Sequence, residues 1–90
     1  MADLSKIQTN IDQNKIDVAI EQLGELIKEN PGDDKLYYLM GNAYRKQENW
    51  QMAINSYLEA VEINPDNPAA EAKDMLLDIL EFYNKDMYNQ

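Results

Sequence analysis

The chain has 90 residues, of which 17 are Asp or Glu and 8 are Lys or Arg, so its formal net charge is −9. This length allows one small domain with a limited core, and the negative charge disfavours nucleic acid and anionic membranes as partners. The absence of His and Cys removes the usual general base, the thiol nucleophile and any disulfide.

Helical periodicity runs along most of the chain. Apolar residues recur at spacings of three and four, which is typical of helices with one buried face. The segments "NPGDD" and "NPDNP" interrupt this pattern, because proline lacks a backbone N–H and disfavours helix at the residue before it. We therefore predict five helices and no strand, with the helices at about 3–12, 16–29, 34–46, 50–63 and 68–84. Their short links favour antiparallel packing of neighbouring helices.

An internal repeat relates the two halves of the chain. Pro31 and Pro65 are 34 residues apart, and the segments that end at them, 14–31 and 48–65, are identical at five of eighteen positions. The identical pairs are Ala19/Ala53, Ile20/Ile54, Glu25/Glu59, Asn30/Asn64 and Pro31/Pro65. A period of this length is typical of stacked helix-turn-helix units.

Residues 34–67 resemble a tetratricopeptide repeat. The pattern of that family is Trp-x2-Leu-Gly-x2-Tyr, then Ala-x3-Phe, then Pro. Here it appears as Tyr37-x2-Met40-Gly41-x2-Tyr44, then Ala53-x3-Tyr57, then Pro65. Gly41 and Ala53 are small where two helices have to approach closely, and the tyrosines fill the space beside those contacts. The resemblance implies an all-α fold of antiparallel helix-turn-helix repeats.

The resemblance covers about two and a half repeats in a single domain, 1–90. Within it we expect a degenerate first repeat at 1–33, a full repeat at 34–67, a capping helix at 68–84 and a tail at 85–90. The first repeat departs from the family because its first helix lacks the aromatic and small residues of the pattern. End repeats are often atypical, since one of their faces meets water.

A stripe of polar and aromatic side chains lies on the third predicted helix. Its members are Lys35, Tyr38, Asn42 and Arg45, at spacings that place them on one helix face. In tetratricopeptide proteins this part of a repeat lines a concave groove that holds extended peptides, so the resemblance implies a peptide-binding role for these four residues. The alternative is an ordinary solvated helix face. Trp50, by contrast, aligns with Ile16 of the first repeat, and we interpret it as a packing residue.

The last predicted helix carries more apolar surface than one neighbouring helix should cover. Its acidic stripe of Glu71, Asp74, Asp78 and Glu81 lies opposite an apolar arc of about 160°. The candidate interface residues are Leu76, Leu77, Leu80, Phe82 and Tyr83. This surface is either a generous cap or a contact for another protein or a second copy, which would make a weak homodimer.

The sequence thus predicts an interaction adaptor that binds a peptide or a partner helix without covalent chemistry. No phosphate loop, Gly-rich fingerprint or nucleophile elbow is present, so we expect no enzyme activity, no catalytic residues, no metal site and no cofactor. The alternative is a self-associating helical protein whose oligomer is the functional unit. With no signal peptide or membrane span visible, we expect a cytoplasmic protein whose partner is a protein or peptide, not nucleic acid or a membrane.

Overall fold

The computed structural model describes the backbone of residues 4–88 and the side chains of residues 4–81. This part of the chain forms five helices and no strand, which confirms the predicted all-α class. The helices are α1 (Leu4–Asp12), α2 (Ile16–Glu29), α3 (Asp34–Lys46), α4 (Trp50–Ile63) and α5 (Ala69–Tyr88). Over the described residues, no helix is long and apolar enough to cross a membrane.

The helix boundaries follow from local chemistry. The side chain of Asp33 accepts a hydrogen bond from the Lys35 N–H (3.1 Å), and that of Asn49 accepts one from the Met52 N–H (3.3 Å). Such N-caps satisfy backbone donors that a helix leaves free at its start. α5 runs four residues past the predicted end at 84, because no glycine or proline interrupts the segment up to Tyr88.

The two turns between paired helices are alike. Asn14 follows α1 with φ 65°, and Glu48 follows α3 with φ 64°. In each turn the next amide returns to a carbonyl five residues earlier, from Lys15 to Asn10 (2.7 Å) and from Asn49 to Tyr44 (2.9 Å). A left-handed residue with this returning bond is a common helix C-terminus. The turns are 34 positions apart, so the sequence period is also a period of backbone shape.

The core has two clusters that meet at α3. The first joins α1, α2 and α3, and its buried residues are Ile7, Ile11, Ile16, Ala19, Leu23, Leu36, Leu39, Met40 and Ala43. The second joins α4 and α5, and its buried residues are Ala53, Tyr57, Ala60, Ala69, Ala72 and Leu76. Tyr44 of α3 packs against both clusters. The central helix α3 therefore contacts both core clusters and joins the two halves of the molecule.

Gly41 of α3 packs directly against Tyr57 of α4. A Cβ atom at this position would collide with ring carbons of Tyr57, which is completely buried. The Tyr57 hydroxyl donates a hydrogen bond to Oδ1 of Asn42 (2.6 Å). The rings of Tyr38 and Tyr57 are in contact, with their centroids 6.1 Å apart. The predicted packing roles of Gly41 and Tyr57 are confirmed.

A polar clasp joins the start of α3 to the turn between α4 and α5. Oδ2 of Asp34 accepts hydrogen bonds from the side-chain amides of Asn67 (2.7 Å) and Asn64 (3.1 Å). Asn67 is buried, and its Oδ1 accepts the Ala69 N–H (2.7 Å), so one side chain both caps α5 and holds α3. These amide donors, Asn67 first, lower the pKa of Asp34 below its ordinary value.

Candidate binding surface

An open groove lies where α1, α3 and α5 face one another, beside the C-terminal end of α3. It has a volume of about 510 Å³, which falls within the usual size of ligand sites. Its lining residues are Gln8 of α1, Asn42, Arg45 and Lys46 of α3, Glu48 and Trp50 around the start of α4, and Leu76 and Ile79 of α5. We call it the α1–α3–α5 groove.

The polar side of this groove carries two cations in an otherwise acidic chain. Arg45 and Lys46 are both exposed, and neither forms an ion pair with any residue whose side chain the structure describes. Ion pairs in that part join Lys28 to Glu25 (4.0 Å) and Lys73 to Asp74 (3.2 Å). Unpaired cations at the edge of an apolar surface can attract a carboxylate, and the guanidinium of Arg45 can hold it with two hydrogen bonds.

The hydroxyl of Tyr57 holds Asn42, one of the residues that line the groove, through a hydrogen bond. Burial raises the pKa of Tyr57 above its ordinary value, while the nearby Arg45 lowers it, and burial is the larger effect. The hydroxyl therefore remains protonated near neutral pH and donates to Asn42. This hydrogen bond fixes Oδ1 of Asn42 and leaves its amide N–H groups for other acceptors.

The apolar side of the groove is formed by Trp50 and Ile79. Trp50 is 37% exposed, whereas its repeat counterpart Ile16 is 7% exposed. Trp50 is therefore less covered than its interpretation as a packing residue implied. Ile16 lies in the first core cluster, covered by α1 and α3, but the indole at the start of α4 faces the open groove. An exposed indole beside cations provides a flat surface for apolar or cationic groups.

The four residues of the predicted stripe on α3 do not lie in one site. Asn42 and Arg45 line the α1–α3–α5 groove, but Lys35 lies in a separate hollow near Leu4 and Leu26. Ten residues of helix separate Lys35 from Arg45 by about 15 Å, too far for one small site. Tyr38 is half-buried and packs against the second core cluster.

The five candidate interface residues of α5 do not share one surface. Leu76 is buried in the second core cluster, and Leu80 packs against it, because these two point toward α4. Leu77 is exposed, as are two neighbours outside the predicted set, Met75 and Ile79. The side chains of Phe82 and Tyr83 lie outside the described residues.

Carboxylates do not gather into a metal site in the described part of the chain. There, no group of three or more Asp or Glu residues is placed to hold an ion. The carboxylate of Asp34, which accepts hydrogen bonds from the amides of Asn64 and Asn67, serves the clasp between helices.

Comparison with known proteins agrees with this architecture. A family model described as tetratricopeptide repeat matches residues 35–67. The chain is similar to Bacteroides fragilis protein BF1650, whose solution NMR structure has 53% sequence identity and a TM-score of 0.88, with 100% of this chain and 92% of that chain covered. No curated protein sequence matches the chain.

Proposed function

We propose that the chain is an adaptor that holds a peptide or a helix of a partner protein in the α1–α3–α5 groove, because residues 35–67 match the tetratricopeptide repeat family, whose repeats generally mediate protein–protein interaction. The observation that carries this proposal is that Arg45 and Lys46, which form no ion pair with the described side chains, lie in one groove with the partly exposed indole of Trp50. A partner segment with a carboxylate next to a bulky apolar side chain would satisfy both sides. The large negative charge of the chain disfavours strongly acidic partners, so a single carboxylate fits best.

The proposed mechanism is passive. Residues 1–33 serve as a degenerate first repeat, 34–67 as the full repeat, and the helix that follows as a cap that forms the third wall of the groove. Proteins of this family are typically non-enzymatic adaptors, and the same role is proposed here. The rigid Tyr57–Asn42 contact would present the groove preformed, which lowers the entropy cost of binding.

The test is capture of partners from native extract with matched charge variants. The double variant Arg45→Glu with Lys46→Glu should no longer capture the partner. The control, Lys15→Glu with Lys28→Glu, makes the same change of charge at two exposed positions, just before α2 and near its end, and should still capture it. With a fragment of that partner, calorimetry should show a loss of about tenfold or more for the groove variant alone. Equal affinity in both variants, with unchanged helicity, would remove the groove from the function.

A second function is favoured by one observation on α5. Met75 and Ile79 are both exposed on this helix and lie one turn apart on the same face, and neighbouring exposed apolar side chains suit an interface. The alternative is therefore self-association through α5, weakened by the repulsion between two chains of charge −9. Sedimentation at several concentrations should then show a salt-dependent dimer that Met75→Glu suppresses. A monomer at all concentrations up to about 1 mM would end this alternative.

A further inference from the structure

A second groove lies on the other side of α3, between α2 and α4. Its volume is about 560 Å³, and its floor is formed by Tyr37, Met40 and Tyr44 of α3. Helical geometry places the centre of this floor about 140° around α3 from the midpoint of Asn42 and Arg45. The α2–α4 groove, as we call it, is therefore separate from the α1–α3–α5 groove and faces a different direction.

The α2–α4 groove offers adaptable apolar contacts. Ile27 of α2 lines one side, and Met52 and Leu58 of α4 line the other. Met52 and Leu58 are exposed, at 39% and 47%, so they leave apolar area in contact with water. Methionine and tyrosine side chains fit partners of different shape, because thioethers are flexible and the phenol combines a flat ring with a polar end.

The charges around this groove are of one sign. Glu59 and Glu62 line it from α4, both exposed, and no cation is among its lining residues. The nearest basic neighbour along α2 is Lys28, next to Ile27, and it pairs with Glu25 at 4.0 Å. The lining of the α1–α3–α5 groove differs, since it holds two cations, Arg45 and Lys46, against one carboxylate, Glu48. The two grooves therefore select for partner segments of opposite charge.

We propose that the α2–α4 groove docks a basic segment of a partner protein, in which one or two bulky apolar side chains are flanked by Lys or Arg. The apolar side chains would lie on Tyr37, Met40 and Tyr44, and the cations would meet Glu59 and Glu62. This proposal does not depend on binding in the α1–α3–α5 groove. Since the two grooves lie on different faces of α3 and share no lining residue, one copy could hold two different segments at once, which is what a bridging adaptor requires.

The test uses the full chain, isotope-labelled for NMR, and three synthetic peptides of about 15 residues. The first carries Leu and Phe one helical turn apart, flanked by lysines. The second replaces those lysines by glutamates, and the third replaces Leu and Phe by alanines. Only the first peptide should give saturable amide shifts, centred on Tyr37, Met40, Met52 and Glu59.

Charge variants then separate docking from general attraction to an acidic chain. Glu59→Lys with Glu62→Lys should weaken the first peptide about tenfold. Asp78→Lys with Glu81→Lys makes the same change of net charge on exposed positions of α5 and should leave affinity within about twofold. Arg45→Glu with Lys46→Glu should not weaken it either, and circular dichroism checks that each variant remains helical.

Four results would overturn the proposal. These are equal binding of the glutamate or alanine peptide, equal loss in both lysine variants, shifts centred on the α1–α3–α5 groove or on α5, and no saturable shift up to about 1 mM. If the lysine peptide fails to bind but the captured partner still depends on Arg45 and Lys46, the proposed adaptor function stands without the α2–α4 groove. If the lysine peptide binds as expected but no partner depends on Arg45 and Lys46, the α2–α4 groove stands without that function.

Discussion

The same substitution at two glycines should have opposite effects on stability. Gly24 lies inside α2 with open space around the position of a Cβ, whereas at Gly41 in α3 a Cβ collides with the ring of Tyr57. Both glycines have negative φ, so alanine fits the backbone at either site. The comparison therefore isolates the close approach of α3 to α4.

The magnitudes follow from two opposing effects. Alanine inside a helix stabilises by about 0.5–1 kcal/mol relative to glycine, and Gly24→Ala should show that gain. Gly41→Ala receives the same gain but overpacks a ring that is completely buried and held through Asn42, at a cost of about 1–3 kcal/mol. The two variants should thus differ by about 1–3 kcal/mol, and a difference of 1 kcal/mol corresponds to about 4–8 °C in Tm for a domain of this size.

Urea and thermal unfolding, followed by circular dichroism, measure the difference. A double-mutant cycle with Tyr57→Leu adds a control, because Gly41→Ala should lose most of its penalty once the ring is absent. If Gly41→Ala were as stable as Gly24→Ala, or if its penalty remained after Tyr57→Leu, the contact between Gly41 and Tyr57 would not set the distance between the two helices.

Three further changes test other parts of the fold. Ala53→Leu, at a completely buried site, should lower the free energy of unfolding by about 1–3 kcal/mol, and the partly exposed Ala70→Leu should cost less; equal urea midpoints for the two variants would contradict the packing. The lowered pKa of Asp34 means that this carboxylate stabilises the fold above the ordinary value of 3.8, and that this stability is lost as the pH falls through the lowered pKa. Asp34→Asn should therefore flatten the loss of stability below about pH 4, and an unchanged slope would remove the clasp from the account. Truncation after Asn67 deletes the α5 half of the second core cluster, so helicity should collapse along the whole chain, whereas cooperative unfolding of 1–67 would show that α5 is dispensable.

The sequence predicted the helices well because their limits are local. Pro31 and Pro65 stop helices through their own covalent structure, and the N-cap at Asp33 bonds only two residues away. The packing roles of Gly41 and Tyr57 were also predictable, since the repeat pattern records which positions of two helices touch.

What the sequence could not supply depends on how distant elements face one another. Trp50 and Ile16 occupy equivalent positions, but only Ile16 is covered, and the larger, amphipathic side chain of Trp50 was the one available signal. Asp34 begins α3, and its hydrogen bond with Asn67 joins residues 33 positions apart. An apolar arc on α5 likewise could not show that Leu76 points to α4 while Leu77 meets water.

The most direct test of the adaptor function is the indole N–H resonance of Trp50, the only tryptophan in the chain. A fragment of a captured partner, unlabelled, is titrated into the isotope-labelled chain, so that one indole signal reports on the α1–α3–α5 groove. We predict a saturable shift of that signal together with the amides of Asn42, Arg45 and Ile79, and we expect these shifts to be lost in Arg45→Glu with Lys46→Glu. A fragment that binds and leaves the Trp50 indole and these amides unchanged would contradict the proposed site.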